Sequence, residues 1–470
     1  MHLEDDFLLD SHRYAARLLR ALGEPGSGVP ADPATHPARR WFECGGMALT
    51  GRRDGQPLMC PVPLGSCADG ALLALEAIAG VAAGALPTGA ELLPERAALT
   101  GLARNGRIAP GGACRLLDCA DGRIALTLAR ADDWASLPAW IGLDATLDGG
   151  SREREDRTWA AVASVVSGRA VDELVERGRL LSLAVAADRL TEPSADWFEI
   201  DCEDPAACSA TAERPLVVDL SSLWAGPLCT HLLALLGARV VKVESTSRPD
   251  GARRGSPAFY DLLNHGKASV AIDLASSASR ELLQRLLAQA DIVIEGSRPR
   301  ALLQLGIDPA EHCARGRALT WISITGHGRR PPADGWVAFG DDAAIAAGLG
   351  TVMCRTTGGA LFCGDAIADP LAGMHAALTA WWSFQHGGAR RVSISLRGVV
   401  EHCISFADPV DCEALRERQV RWTALARARG REPRPARARE LRGAARPLGA
   451  DNTSVAAALA APLGGALRAG

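Results

Sequence analysis

The sequence is poor in lysine, in strong net charge and in long apolar runs, and each shortage excludes a class of protein. Only two of its 51 basic residues are lysines, Lys242 and Lys267, so its arginine-rich stretches reflect a general bias toward arginine. A net charge of -4 creates no field that attracts nucleic acid or an anionic membrane. No apolar run reaches the ~20 residues that a membrane-spanning helix needs. We therefore expect neither a nucleic acid nor a membrane as partner.

Paired cysteines and nucleotide-binding motifs are also missing. The thirteen cysteines are odd in number and contain no Cys-x-x-Cys pair, which favours neither a zinc site nor a disulfide framework. The Gly-x-Gly-x-x-Gly and P-loop patterns are absent, which argues against a nicotinamide or triphosphate site. The acidic start over 1–22 does not resemble a signal peptide. We expect a cytoplasmic protein with no metal and no permanently bound cofactor.

The 470 residues are too many for one ordinary core and predict two or three domains. The pattern divides into an N-terminal helix and linker over 1–40, a mixed module over 41–200, an acidic linker over 201–214, a main domain over 215–400 and an Arg-rich extension over 401–470. In the extension, the eleven arginines from Arg416 to Arg446 are interleaved with glutamates, which favours a solvated helical face over a nucleic-acid site.

After position 215, short β-branched runs alternate with helical runs, a pattern typical of a parallel sheet covered on both faces. Helices over 227–236 and 279–290 provide crossovers between strands. Ligands of such sheets bind at the carboxyl ends of the strands. The predicted strands are 216–220, 240–244, 269–273, 291–295 and 321–324.

The first of these strands leads into a turn over 221–227, immediately before a helix. Free backbone N–H groups at a helix start can receive a phosphate. The turn therefore predicts ligand contacts at Trp224 and Ala225.

Several stretches in this domain resemble one known family in order and spacing. Residues 219–227 and 235–244 resemble the opening of the class III CoA-transferases, the carnitine dehydratase and formyl-CoA transferase group. Residues 264–274, 291–306 and 322–328 continue the likeness in the same order, and together it covers about 215–396. It implies an α/β fold, with a Rossmann-like parallel sheet in a large domain and a smaller α+β domain.

The resemblance also implies an activity and a nucleophile. Members transfer coenzyme A from an acyl-CoA thioester to a carboxylic acid through aspartyl anhydride and aspartyl-CoA thioester intermediates. Asp369 begins the matching Asp-x-x-x-Gly pattern and is followed by Met374 and His375. A carboxylate at a helix N-terminus stays ionised and can attack a thioester. Asp365 ranks second, and the alternative for Asp369 is a plain helix cap.

Other positions of the family pattern suggest how CoA binds and where this chain departs from it. We expect CoA contacts at Trp224, Ala225, Arg254, Lys267 and Arg298, with Arg253 and Arg300 as alternative arginines for the phosphates. An arginine that usually meets CoA phosphates is replaced by Gln304, and no Gly-rich loop follows the nucleophile. These departures leave open a non-catalytic CoA-binding or partner subunit. An acyl-CoA racemase is disfavoured because Asp341 stands where racemases carry histidine.

The first module resembles a later part of the same family. Residues 45–57 resemble the stretch upstream of the nucleophile, and 121–134 resemble the small domain. Ser66 stands where this copy would need its nucleophile. The chain is therefore either two incomplete copies in tandem or one permuted copy. Family members form interlocked dimers, so we expect a homodimer or an intramolecular version of that arrangement, with acyl-CoA and a carboxylic acid as substrates.

Overall fold

The computed structural model describes two sheets and the helices around them. One sheet has three strands and the other has seven. The described residues are 9–26, 35–142, 152–190, 197–205, 207, 213–297, 299–407, 411–428 and 432–460.

The chain begins with a helical layer. Its first helix is amphipathic and buries Tyr14, Leu18 and Leu19 against the third helix. Asp10 caps this first helix by accepting a hydrogen bond from the Arg13 backbone N–H, at 2.9 Å. The helices of the layer are α1 (Ser11–Ala21), α2 (Pro37–Glu43), α3 (Leu64–Ala79), α4 (Gly89–Leu92) and α5 (Glu95–Thr100).

A small α+β domain follows. Its antiparallel sheet has the order β1-β2-β3 and packs on three helices. The domain has a core of its own, in which Trp140, Trp159 and Leu174 are buried. Its elements are β1 (Cys114–Asp118), β2 (Arg123–Thr127), α6 (Ala131–Ile141), α7 (Arg152–Val166), α8 (Val171–Leu180) and β3 (Ala184–Ala187).

The large sheet is parallel except at one edge. Its order is β4-β10-β9-β8-β5-β6-β7, and only β4 pairs antiparallel with its neighbour. The six parallel strands follow the 3-2-1-4-5-6 order of a doubly wound fold, so a crevice opens between β5 and β8. The strands are β4 (Phe198–Asp204), β5 (Leu216–Leu220), β6 (Arg239–Ser245), β7 (Ala268–Ile272), β8 (Ile292–Glu295), β9 (Leu319–Thr325) and β10 (Ala389–Ser395).

Helices cover both faces of this sheet. Successive residues of a strand point to opposite faces, so Val217 enters one core and Val218 the other. The fold is therefore the expected α/β architecture with a smaller α+β domain. The helices are α9 (Ala225–Leu235), α10 (Pro257–Asn264), α11 (Ser277–Gln289), α12 (Pro299–Gln304), α13 (Pro309–Cys313), α14 (Gly340–Ala346), α15 (Leu349–Thr357), α16 (Ala368–Gln385), α17 (Leu396–Phe406), α18 (Cys412–Arg427) and α19 (Asn452–Ala460).

Helix α16 lies at the centre of the molecule. It packs against α9, α3 and α17 as well as the sheet, and every residue from 370 to 383 is buried. A helix that is apolar on all sides must be enclosed in this way. The only part of its first turn that is half-exposed is Asp369.

The five predicted strands after position 215 are confirmed within two residues at each end, but the acidic linker is corrected. The stretch predicted as linker over 201–214 begins inside the edge strand β4. Its acidic residues form ion pairs with arginines of the neighbouring strand β10: Asp201 with Arg391 at 2.5 Å and Glu203 with Arg390 at 2.7 Å. Alternating acidic residues therefore mark a charged edge strand here.

The boundaries at 40 and 400 and the Arg-rich extension are also corrected. Each boundary falls inside a helix, α2 or α17. Residues 432–449 form neither helix nor strand and cross from the helical layer to β7. Arg439 binds Glu95 at 2.6 Å, and Asp451 accepts from the backbone N–H of Ser269 at 2.8 Å. Arg439 is therefore structural, because it pairs with a buried carboxylate. No helix in the described ranges is long and apolar enough to cross a membrane.

Candidate active site

The turn between β5 and α9 forms one wall of the crevice and is held in place from below. Lys242 Nζ donates to the Ser221 carbonyl at 2.9 Å and pairs with Asp250 at 3.0 Å. Asp250 accepts from the backbone N–H of Leu223, a residue with the unusual φ of 69°. Gly226 has no room for a β-carbon, which would collide with the Ser221 hydroxyl. The backbone of the turn is thereby fixed facing the crevice.

Lys267 supports the same turn and is not a ligand contact. Its Nζ donates to Asp219 at 3.2 Å, to Thr230 at 2.7 Å and to Asn264 at 3.0 Å. Only 1% of its side chain is exposed, and burial lowers the pKa of its ammonium to about 8. The prediction that Lys267 contacts CoA is therefore corrected: it positions the helix start that was expected to do so.

Asp369 lies at the crevice because two glycines, Gly373 and Gly340, allow neighbouring elements to pack closely around it. Gly373 lies one turn later on the same helix face, and a β-carbon there would lie 2.6 Å from the carbonyl oxygen of Ala225. Helices α16 and α9 can therefore cross closely, which brings their N-terminal turns together. A β-carbon at Gly340 would lie 2.5 Å from Asp369 Oδ2. The absence of a side chain at Gly340 leaves its backbone close to the Asp369 carboxyl, and this backbone lowers the pKa of Asp369 in part.

Two cavities meet at Asp369. The first, which we call the crevice cavity, has a volume of about 540 Å³ and lies at the carboxyl ends of β5, β8 and β9. Ser221, Ser297 and Thr325 are among its lining residues. The second, which we call the module cavity, has a volume of about 380 Å³ and is closed partly by residues 96–129 of the first half of the chain. In the described ranges, Asp369 is the only carboxylate that lines both cavities.

A cluster of carboxyls surrounds this position. Asp365 is fully buried and forms a bidentate ion pair with Arg96, at 2.8 and 2.6 Å. Asp341 accepts from the backbone N–H of Ala366 at 2.9 Å. Burial raises the pKa of Asp369 to about 7, against the attraction of Arg96 and with the repulsion of Asp365. Burial and Asp365 likewise raise the pKa of Asp341 to about 7. Near neutral pH, Asp369 is therefore a mixture of carboxylate and acid.

The first half of the chain closes the site through specific contacts. Thr127 Oγ1 donates to Asp342 Oδ1 at 2.8 Å, which ties β2 to α14. Arg96 reaches Asp365 from α5, and its guanidinium lies 5.4 Å from the ring centroid of Trp224. The helical layer and the small domain therefore supply one side of the site within a single chain.

The other predicted CoA contacts differ in whether they line either of these cavities. Trp224 is buried at the start of α9, packs edge-on against Phe259 and lines the module cavity. Ala225 lines the crevice cavity. Arg254 is exposed and lines neither cavity. Arg298 lies outside the described residues.

Sequence reasoning missed Arg130 and Arg248, which line the crevice cavity, and Arg179, which lines a neighbouring outer cavity. Arg248 lines the crevice cavity and also an outer cavity of about 1170 Å³ that contains Gln304. Arg179 of α8 enters this outer cavity with its guanidinium 3.5 Å from the ring centroid of Trp336, and burial next to Arg397 lowers its pKa to about 10. No local motif distinguishes these arginines from the many others, because the fold alone brings them together.

Comparison with known proteins identifies the segment that carries this site. Residues 215–434 match the family model described as CoA-transferase family III. A succinyl-CoA–D-citramalate CoA-transferase of Chloroflexus aurantiacus is 32% identical over 178 residues, which are 36% of this chain and 44% of that protein. A formyl-CoA:oxalate CoA-transferase of a Bradyrhizobium species is 30% identical over 199 residues, 40% of this chain and 47% of that protein.

Solved structures also match. A CAIB/BAIF family protein from Brucella suis is 25% identical, with 48% of this chain and 60% of that chain covered and a TM-score of 0.37. The chain spans less than half the length of the curated relatives named above. The match to CoA-transferase family III thus covers residues 215–434, which hold Asp369 and most of the crevice.

Proposed function

We propose that this protein is an enzyme that transfers CoA from an acyl-CoA thioester to a carboxylic acid, with Asp369 as nucleophile. The observation that carries the proposal is the position of Asp369 between the crevice cavity and the module cavity. A carboxylate in that position can contact a thioester whose CoA lies on one side and whose acyl group lies on the other. Asp365 lines neither cavity and is held by Arg96, so it is the weaker candidate.

The reaction proceeds in four displacements at this carboxylate. Asp369 attacks the thioester carbonyl, the C–S bond breaks, and an acyl-aspartyl anhydride and CoA thiolate form. The thiolate then attacks the aspartyl carbonyl and releases the first acid, which leaves an aspartyl-CoA thioester. The acceptor carboxylate displaces CoA to form a second anhydride. The thiolate finally attacks the acceptor acyl carbonyl, which yields the new acyl-CoA and free Asp369.

Backbone groups at the helix starts can stabilise the tetrahedral states. Ala225 and Gly226 line the crevice cavity, and no side chain caps the N-terminus of α9. Their N–H groups are available to a developing oxyanion. The raised pKa of Asp369 also suits the task, because a more basic carboxylate is the better nucleophile once it is ionised.

CoA needs cations for its phosphates, and we propose that the outer cavity supplies them. Arg248 and Arg179 face this cavity from the large sheet domain and from the small domain, and Arg189 joins them. They occupy the neighbourhood of Gln304, where the usual arginine is missing. A guanidinium binds phosphate well regardless of which element provides it. Arg298 remains a proposed contact, and Arg254 is a weaker one because it is exposed beyond the cavities.

We also propose that the first module serves as the small domain of this site. Arg96 pairs with Asp365 and Thr127 bonds to Asp342, so the first module contacts the large domain on either side of the cavities. These contacts support an intramolecular version of the family's interlocked dimer. Whether two such chains then associate as a homodimer is a separate proposal, tested by the mass of the protein in solution.

The test of the activity is a screen of acyl-CoA thioesters against pooled carboxylic acids, read by the mass of each new thioester. We expect new thioesters with the native chain and none with Asp369→Asn. CoA binding without exchange under any acid would contradict the enzyme and support the non-catalytic alternative.

A further inference from the structure

We propose that the module cavity selects apolar acyl groups and rejects those that carry a second carboxylate. This inference rests on the proposed CoA transfer and names the class of acid that the site accepts. It follows from the lining of the cavity, from its charges and from the state of its one cation.

The walls of the module cavity are largely apolar. Three aromatic side chains, those of Trp224, Phe259 and Phe339, line it together with aliphatic ones. Trp224 and Phe259 pack edge to face with their centroids 5.2 Å apart, which gives a rigid wall. Such a surface gains free energy by covering a hydrocarbon or aromatic acyl group. The remaining apolar lining residues are Leu102, Ala113, Ala129, Leu223, Ala252 and Ala366.

The single cation in this lining is already neutralised. Arg96 is the only lysine or arginine that lines the cavity within the described ranges. Its Nε and Nη2 both donate to Asp365, and its plane lies over Trp224. The guanidinium is thus held by a buried partner and cannot turn toward a ligand without leaving that carboxylate alone.

The other ionisable groups on the wall are carboxyls, which supply no positive charge to pair with an anion. Asp341 and Asp369 line the same cavity, and both are acidic. A second carboxylate on the acyl group would lose its water and find carboxyl groups instead of a free cation. Burying an unpaired charge is costly, whereas a methyl group of the same length meets apolar walls.

This lining contrasts with the substrates named for the relatives. The succinyl group and oxalate in those names are dicarboxylic. The cavity of this chain offers no free cation among its described lining residues to pair with such a group. We therefore expect its acids to be apolar monocarboxylic acids.

The test compares donors that differ only in the second carboxylate: butyryl-CoA with succinyl-CoA, and hexanoyl-CoA with adipyl-CoA. Rates are measured with the native chain, and affinities by calorimetry with Asp369→Asn, which cannot form the anhydride. We expect kcat/KM to favour each monocarboxylic member by about 100-fold or more, equivalent to ~2.7 kcal/mol. Equal or higher values for the dicarboxylic members would overturn this inference while leaving CoA transfer intact.

Two other outcomes separate the inference from the proposed function. If no donor is turned over but Asp369→Asn binds butyryl-CoA more tightly than succinyl-CoA, the transfer proposal fails and the cavity assignment stands. If neither donor binds, both fail.

A designed cation sharpens the test. Leu102 is half-buried on the cavity wall, so Leu102→Lys adds an unpaired ammonium, and Leu102→Met is the matched neutral control. We expect the lysine variant to shift the succinyl-to-butyryl ratio toward succinyl-CoA by about tenfold and the methionine variant to leave it unchanged. Thr100→Lys, at an exposed position of the lining, replaces Leu102→Lys if that variant does not fold. An unchanged ratio in a folded lysine variant would overturn the assignment.

Discussion

Helix α3 in the first half of the chain and helix α16 in the second share a packing device but not a chemistry. Gly70 of α3 lets α1 approach, because a β-carbon there would lie 2.6 Å from the Ser11 carbonyl oxygen. Gly373 of α16 does the same for α9, at 2.6 Å from the Ala225 carbonyl oxygen. Four residues before each glycine stand Ser66 and Asp369. Only Asp369 faces a cavity, so a glycine at this spacing serves helix packing even where no nucleophile precedes it.

The surroundings of the two positions explain the difference. Ser66 is buried, and its hydroxyl has no hydrogen-bond partner within the described chain. Asp369 is partly buried and lines two cavities. The comparison teaches that the same helix crossing occurs at both positions, whereas only the position at the open crevice of the large sheet is accessible to a ligand.

The largest predicted effect is on catalysis and tests the difference between Asp369 and Ser66. Asp369→Asn removes the proposed nucleophile and should lower turnover by about 10³-fold or more, because the covalent route is lost. Ser66→Ala should leave turnover unchanged. Both are measured as initial rates of thioester exchange. A large loss in the Ser66 variant, or a small loss in the Asp369 variant, would contradict the division of roles.

The next effect concerns the shared packing device. Gly70→Ala and Gly373→Ala each force a β-carbon against a carbonyl oxygen, and each should lower the free energy of unfolding by ~1–3 kcal/mol. Only Gly373→Ala should also lower turnover per folded molecule, because it moves the start of α9 away from Asp369. Urea unfolding and exchange rates on the same samples check this. Equal losses of turnover would show that both crossings shape the site.

A smaller predicted effect tests whether the large domain and the small domain both contact CoA. Arg248→Ala should weaken CoA binding by about tenfold, since one charge-assisted contact to a phosphate is lost. Arg179→Ala should act similarly, from the small domain. Arg285→Ala, at an exposed position of α11 that lines none of these cavities, is the matched control and should change little. Calorimetry with CoA and with dephospho-CoA shows which phosphate is involved, and no change in either cavity variant would place CoA elsewhere.

The smallest effect is on pH dependence. The pKa of Asp369 is raised to about 7, chiefly by burial, so the ionised fraction of its side chain increases as the pH rises. We expect kcat/KM to increase about threefold between about pH 6.5 and pH 7.5. The raised pKa also stabilises the fold below the unfolded pKa, and this contribution is lost as the pH rises through about 7. A rate that is flat across this range would mean that substrate binding or another group sets the ionisation.

The sequence predicted the parallel strands because buried β-branched runs have few alternative structures. It missed β4, because Asp201 and Glu203 resemble linker residues until their partners on β10 are known. Asp369 followed from its motif. The position of Arg96 at the site could not be predicted, because its contact with Asp365 joins residues that are 269 positions apart in the sequence.

Lys267 shows a different limit. The family resemblance placed Lys267 among the expected CoA contacts, and only the structure reveals that its ammonium donates to Asp219, Thr230 and Asn264. The Arg-rich segment over 432–449 is a similar case, since its pattern does not reveal that Arg439 will meet the buried Glu95. Local patterns predicted the elements, and long-range ion pairs decided what the charged residues do.

Covalent trapping tests the central claim most directly. The native chain is incubated with acyl-CoA, the aspartyl adduct is captured with hydroxylamine or borohydride, and the digested protein is sequenced by mass spectrometry. We predict a single modified carboxyl, that of Asp369, and no modification in Asp369→Asn. A label on Asp365, or continued exchange with no labelled carboxyl, would contradict the account.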